Sequence, residues 1–238
     1  MHTDINHLHT NIDNMTMHKQ LNSDSNHVDT HSSTIASYLR LTSAILSVIA
    51  AVCTRRYMAI EIPYIVGSSW TISMVAFIVS IVQEMSLSRF KGKIAYIPYL
   101  IGAVLLLIGS VFLIGDPGVE NIMTSNVWMA GGLVTMLGQI SLAVQMTEKG
   151  ISTRVLRAAC VLGACGSLMY FVAGMFISNI DDYDSVSSGL YDSVMKASNL
   201  WISGAVLYVC HALLFTIGLM EEEANEEENG DEALEEIA

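Results

Sequence analysis

From Ile94 to Ile114 the chain carries no Asp, Glu, Lys, Arg or His, and that single run restricts the fold more than any other feature. A hydrocarbon layer about 30 Å thick is crossed by about 20 mostly apolar residues in helical form, because lipid offers no partners for backbone N–H and C=O groups. Residues 35–53, 62–83, 94–114, 127–146, 155–177 and 200–220 all meet this requirement. The expected fold is therefore all-α: a polytopic transmembrane helical bundle of about six spans over residues 34–220. Disordered polar N- and C-terminal tails are expected at 1–33 and 221–238. The first span is the least apolar, with Arg40 near its start and several hydroxyls along it. A five-span arrangement therefore stays open.

Composition agrees with a membrane class. The chain is 52% hydrophobic and 14% charged, where soluble domains hold about 25% charged residues, and its mean hydropathy is +0.49. The net charge of −12 does not describe the bundle, since ten of the 23 acidic residues lie between Glu221 and Glu236. With no basic patch, nucleic acid is not an expected partner; the lipid bilayer is. Cys53, Cys160, Cys165 and Cys210 all sit in apolar runs and read as small hydrophobes, not as a disulfide framework. Residues 1–33 lack the apolar core of a secretory signal, which leaves targeting to the first span.

Loop cations predict the orientation, because Lys and Arg near span ends are retained in the cytoplasm. A cytoplasmic N-terminus places Lys19, Arg40, Arg89, Lys91, Lys93, Lys149, Arg154 and Arg157 inside, and only Arg55, Arg56 and Lys196 outside. Both termini are expected in the cytoplasm. The Arg55-Arg56 pair is the dissenting signal, and it would suit a first segment that is re-entrant or lies on the surface.

An internal repeat is the most specific pattern. Ile62-Pro63-Tyr64-Ile65-Val66-Gly67-Ser68 recurs as Ile97-Pro98-Tyr99-Leu100-Ile101-Gly102-Ala103. Looser forms follow at Trp128-x-x-Gly131-Gly132, Cys160-x-x-Gly163-Ala164 and Trp201-x-x-Gly204-Ala205. Proline suits a first helical turn, and Tyr64, Tyr99, Trp128 and Trp201 read as interfacial anchors. The glycines Gly67, Gly102, Gly131, Gly163 and Gly204 read as close-packing positions, extended by Gly109 and Gly138 on the faces of Gly102 and Gly131. Such seams also make a protein partner or a second copy expected through the small-residue helix faces. The run Tyr99-Leu-Ile-Gly102-Ala-Val-Leu-Leu-Leu-Ile-Gly109-Ser110-Val-Phe112 resembles the YrhK-like family of small membrane proteins. That resemblance implies a membrane location and no particular activity.

Ionisable and polar groups at membrane depth mark candidate sites. Ten or eleven residues beyond the repeat positions lie His211, Gln139, Tyr170 and Ser110, near the bilayer midplane at about 1.5 Å per helical residue. Two readings remain. In one, His211 is a proton-sensitive or ligand-binding centre whose tautomer Gln139 fixes and to which Tyr170 adds a donor. In the other, these groups are interhelical hydrogen bonds that set register. Gln83 and Glu84 end the second span beside Arg89 and Lys91 and read as interfacial, with a local salt bridge of little energy.

Chemistry needing a fixed constellation finds little support. A lone span histidine does not suit bis-imidazole haem ligation, and no His-Glu-x-x-His, Walker loop, dinucleotide fingerprint or triad spacing occurs. No cofactor, metal or catalytic residue is expected, and His2, His7, His9, His18, His27 and His31 read as a solvated, biased tail. The sequon Asn14-Met15-Thr16 is expected unmodified in a cytoplasmic tail. The functional expectation is a non-enzymatic structural or interaction role. The alternative is a small-solute or proton transporter, channel or pH sensor centred on His211.

Overall fold

The computed structural model describes residues 35–55, 63–87, 93–114, 121–148, 154–178 and 188–235, every one of them in helix or turn. Helix α1 is Ile35–Arg55. It is followed by α2 (Pro63–Leu87), a 3-10 turn (Lys93–Ala95), α3 (Tyr96–Phe112), α4 (Asn121–Glu148), α5 (Arg154–Ser178) and α6 (Ser188–Glu235). Every helix except α3 contains a stretch long and apolar enough to cross a membrane, α1 included. At 17 residues α3 is shorter, but with its 3-10 turn it reaches about 30 Å, the thickness of the hydrocarbon layer. The chain is a multi-pass, all-helical membrane protein.

The distribution of side chains follows from the solvent. On α1, Ile45, Ile49 and Val52 face outward, while Ala36, Ser43, Ala44, Ser47, Ala50 and Ala51 are buried. Lipid tails are as apolar as Ile, so large aliphatics gain little by turning inward, and small residues that let backbones approach occupy the seams. Many of the buried hydroxyls are paired within their own helix. Ser47, Thr54, Ser110, Thr135 and Ser167 each donate to the carbonyl one turn earlier in their own helix, at 2.7–3.1 Å.

The α3–α4 seam is antiparallel and regular. Tyr99 lies against Gly138, Gly102 against Thr135, Leu106 against Gly131 and Trp128 against Gly109. Each step alternates three and four residues, so one small position receives one large side chain, as in a left-handed antiparallel pair. The α5–α6 seam works likewise: Gly166 and Gly204 each approach the other's carbonyl oxygen, and Gly218 receives Leu156. Between α4 and α5, Gly132 abuts the Phe171 backbone and Gly163 faces the Gln139 side chain. Gly67 of α2 closes on Leu113 and Ile114 at the end of α3. Six of the seven glycines expected at packing positions thus meet another helix of the same chain, and Gly67 meets the turn that follows α3.

Consecutive helices are neighbours from α2 to α6, and α1 completes the bundle. It joins α2 through Ser47 to Ser73 (2.6 Å) and through the Trp70 indole N–H donating to Thr54 (2.9 Å). Its contact with α6 is Arg40, whose guanidinium carbon stands 3.7 Å from the Phe215 ring centroid.

Several helix ends lie beyond the expected spans. The helices α4 and α6 begin well before residues 127 and 200, because hydropathy marks where lipid contact begins, while the backbone can coil through polar turns beyond it. At its other end α6 runs on to Glu235, through most of the acidic segment. Glu and Ala are good helix formers, and a helix already nucleated by a span propagates easily. The N-terminal tail with its histidines and sequon, and Arg56, Arg89, Lys91 and Lys149 of the loops, lie outside the described residues.

Candidate functional site

The interior holds an ion pair. Arg40 of α1 and Glu84 of α2, exposed by only 2% and 7%, are joined through Arg40 Nη2 and Glu84 Oε2. Glu84 was expected at the interface; it is buried, and its partner is not the adjacent Arg89 or Lys91 but Arg40, 44 residues earlier. A buried stripe prepares the meeting. Arg40, Ser43, Ser47 and Thr54 follow one face of α1, and Ser73, Phe77, Ser80 and Glu84 follow one face of α2. With the two helices antiparallel, the start of one stripe faces the end of the other. Arg40 is thereby an internal group and not one of the loop cations.

Beside this pair stands His211 of α6. Its Nδ1 lies 2.7 Å from the Ala159 carbonyl of α5. A carbonyl only accepts, so Nδ1 carries the proton in the neutral ring and Nε2 carries the lone pair. The Ala159 carbonyl, not Gln139, sets the tautomer. His211 Nε2 and Arg40 Nε and Nη1 are buried without a hydrogen-bond partner among the described residues, while the Tyr170 hydroxyl faces Ser47.

These groups converge on one small cavity. Its walls include Arg40, Ser43 and Ser47 of α1, Tyr170 of α5, and Tyr208 and His211 of α6, closed off by Met74, Phe77 and Leu106. Its volume is about 10 Å³, about the room one water needs, and a water at such a site requires two to four polar partners. Tyr208 is held separately by a 2.5 Å hydrogen bond with Ser167.

Rings continue from this centre along the bundle. Phe215 stands 5.7 Å from His211, His211 6.1 Å from Tyr208, and Tyr208 5.6 Å from Tyr170. Trp70 then contacts Tyr170 at 5.8 Å and Trp128 edge-on at 4.7 Å, and Trp128 meets Trp201 at 5.6 Å. A side branch runs from Tyr208 through Phe77 to Tyr99. The structure therefore has a charged end and an apolar, indole-rich end joined by aromatic contacts.

The four midplane groups are all buried, but they do not form one site. His211 and Tyr170 share the cavity. Ser110 bonds the Leu106 carbonyl in its own helix, and Gln139 fills the space before Gly163, its amide without a partner among the described residues. Equal depth placed them on one level; the rotation of each helix about its axis separates them. Among the anchors, Tyr64 is exposed, but Tyr99 and Trp128 are buried at 0% and 2% and Trp201 is half-buried. The two copies of the repeat thus differ in setting: Pro63-Tyr64 opens α2 at the surface, while Pro98-Tyr99 lies inside α3 against α4.

Arg40 and Glu84 escaped sequence reasoning because both lie within about one and a half turns of a helix end, where charges ordinarily reach water. The available signal was the helical spacing of each from buried Ser residues. Comparison with models of known families, with curated proteins and with solved structures finds no match to this chain.

Proposed function

We propose that this multi-pass membrane protein is a proton carrier in its closed conformation, with Arg40, Glu84 and His211 as its working centre. The observation that carries the reading is the Arg40–Glu84 pair buried beside an imidazole nitrogen that has no partner among the described residues. Replacing a buried ion pair by well-packed apolar residues is often neutral or stabilising, so stability alone gives little reason to keep one in a bundle. Ionisable groups among spans commonly belong to ion pathways and proton relays. The cavity supports protons over larger cargo, since about 10 Å³ admits one water and no solute of several atoms. In this reading His211 takes up and releases a proton at the cavity, and Arg40, which lines the same cavity and pairs with Glu84, couples the charge of Glu84 to that step.

A structural role is the second reading, supported by the glycine seams. Those seams are satisfied within the chain, which leaves few of the named glycines for a partner or second copy. The cation bias of the loops supports termini on the cytoplasmic side even without Arg40. The YrhK-like resemblance supports membrane residence and is neutral between the two functions.

Liposomes containing a pH-sensitive dye and the wild-type protein are expected to dissipate an imposed pH gradient. Glu84→Gln and His211→Ala, each eluting as a folded species in detergent, should fall to the leak of protein-free vesicles. Equal rates for wild type, both variants and empty vesicles would sink the proton reading.

A further inference from the structure

A second cavity lies on the outside of the bundle. Along the outer edge of helices α4 and α5 runs a groove of about 480 Å³, whose lining is almost wholly apolar. Ile140 and Val144 form one wall, Val161 and Leu168 the other, and Ala143 and Ala164 lie between them. At one end stands Arg157, in the first turn of α5, with its Nε buried and without a partner among the described residues. Exposed Arg154 opens the same helix.

We propose that this groove holds one acyl chain of an anionic phospholipid, with the headgroup phosphate on Arg157. Length and charge both select that occupant. From Arg157 to Leu168 the groove runs about 16 Å at about 1.5 Å per residue, close to half of a hydrocarbon layer about 30 Å thick. One leaflet's acyl chain therefore fits from the α5 N-terminus to the middle of the bilayer. A second copy of this chain could cover the apolar walls, but the residues that line its own groove include no acid to meet Arg157. A phospholipid brings both parts in one molecule, and basic pockets between spanning helices are suited to anionic headgroups. The small side chains of Ala143 and Ala164 make the floor deep enough for a chain to lie below the flanking Val and Ile residues. This site is separate from the Arg40 centre and does not depend on its function.

The test is native mass spectrometry of the full-length protein in mild detergent, supplied with phosphatidylglycerol or phosphatidylcholine of identical chains. Wild type is expected to retain one phosphatidylglycerol per chain with about tenfold preference, the scale of one charge-assisted hydrogen bond. Arg157→Gln should bring both lipids to the same level. Ala164→Phe should lower retention of both by filling the floor. Labelling of Cys165, exposed on the groove, by a membrane-permeant maleimide should be slower in phosphatidylglycerol nanodiscs than in phosphatidylcholine ones, and equal in the two for Arg157→Gln. Equal retention of the two lipids by wild type overturns the proposal. So does a lipid-free dimer that Ala164→Phe disrupts, which would make the groove an interface between copies. Should Ala164→Phe not fold, Arg157→Gln still decides.

Discussion

The α3–α4 seam and the α1–α2 seam join helices of the same bundle by different means. Between α3 and α4 the contact is shape: Gly102, Gly109, Gly131 and Gly138 leave spaces that Thr135, Trp128, Leu106 and Tyr99 fill. Between α1 and α2 it is polarity: Ser47 with Ser73, Thr54 with Trp70, and Arg40 with Glu84. A shape seam has one good arrangement, since backbones in contact cannot slide past large side chains. A polar seam can exchange partners or protons while its helices stay close. The difference teaches where each kind of role can reside: α3–α4 suits a rigid frame, and α1, which adds the charged group, suits the element that responds.

Breaking the ion pair should have the largest effect. Glu84→Leu leaves Arg40 buried and uncompensated and is expected to destabilise the bundle by about 3–5 kcal/mol. Adding Arg40→Leu should restore most of that loss, so thermal unfolding in detergent of the two single variants and the double variant reads the coupling directly. A double variant as unstable as Glu84→Leu alone would show that the pair is not the relevant contact.

The shape seam comes next. Gly138→Leu places a side chain against the Tyr99 backbone and should cost at least the roughly 1–3 kcal/mol typical of an overpacked core, with no rescue by any polar change in α1. Unchanged melting would mean that α3 and α4 do not meet along this face. The smallest effect is expected at the α1–α2 hydroxyls. Ser73→Ala removes the bonds to Ser47 and to the Ser43 carbonyl and should shift stability by about 1 kcal/mol, at an average of about 0.6 kcal/mol for each hydrogen bond between spanning helices. A loss several times larger would move Ser73 from a register contact into the charged centre.

The spans, their order and the seams were legible from residues alone. Uncharged runs of span length and glycines at turn spacing carry their meaning locally: backbone satisfaction in lipid needs a helix, and close approach needs a missing side chain. Six of the seven glycines singled out this way face another helix, and Gly67 faces the turn after α3. The candidate site was legible only in part. His211 and Tyr170 were found by depth and do line the same cavity, but Ser110 and Gln139, at the same depth, do not. Depth is a coordinate along one helix, whereas a site also requires the azimuth of several helices, which no single segment contains. Tyr99 and Trp128 show the same limit, since an aromatic residue near a span end can face either the headgroups or a partner helix, and here both turn inward.

By itself, then, the order of residues determined that this chain crosses lipid repeatedly as helices and that small residues hold those helices together. Both follow from forces that act within one segment and its solvent. Only the tertiary structure decided that Arg40 and Glu84 pair inside the bundle, that the Ala159 carbonyl holds His211, and that an apolar groove lined by α4 and α5 ends at Arg157. Those facts depend on the rotation and register of helices far apart in the chain. These are set jointly by the packing of all their faces.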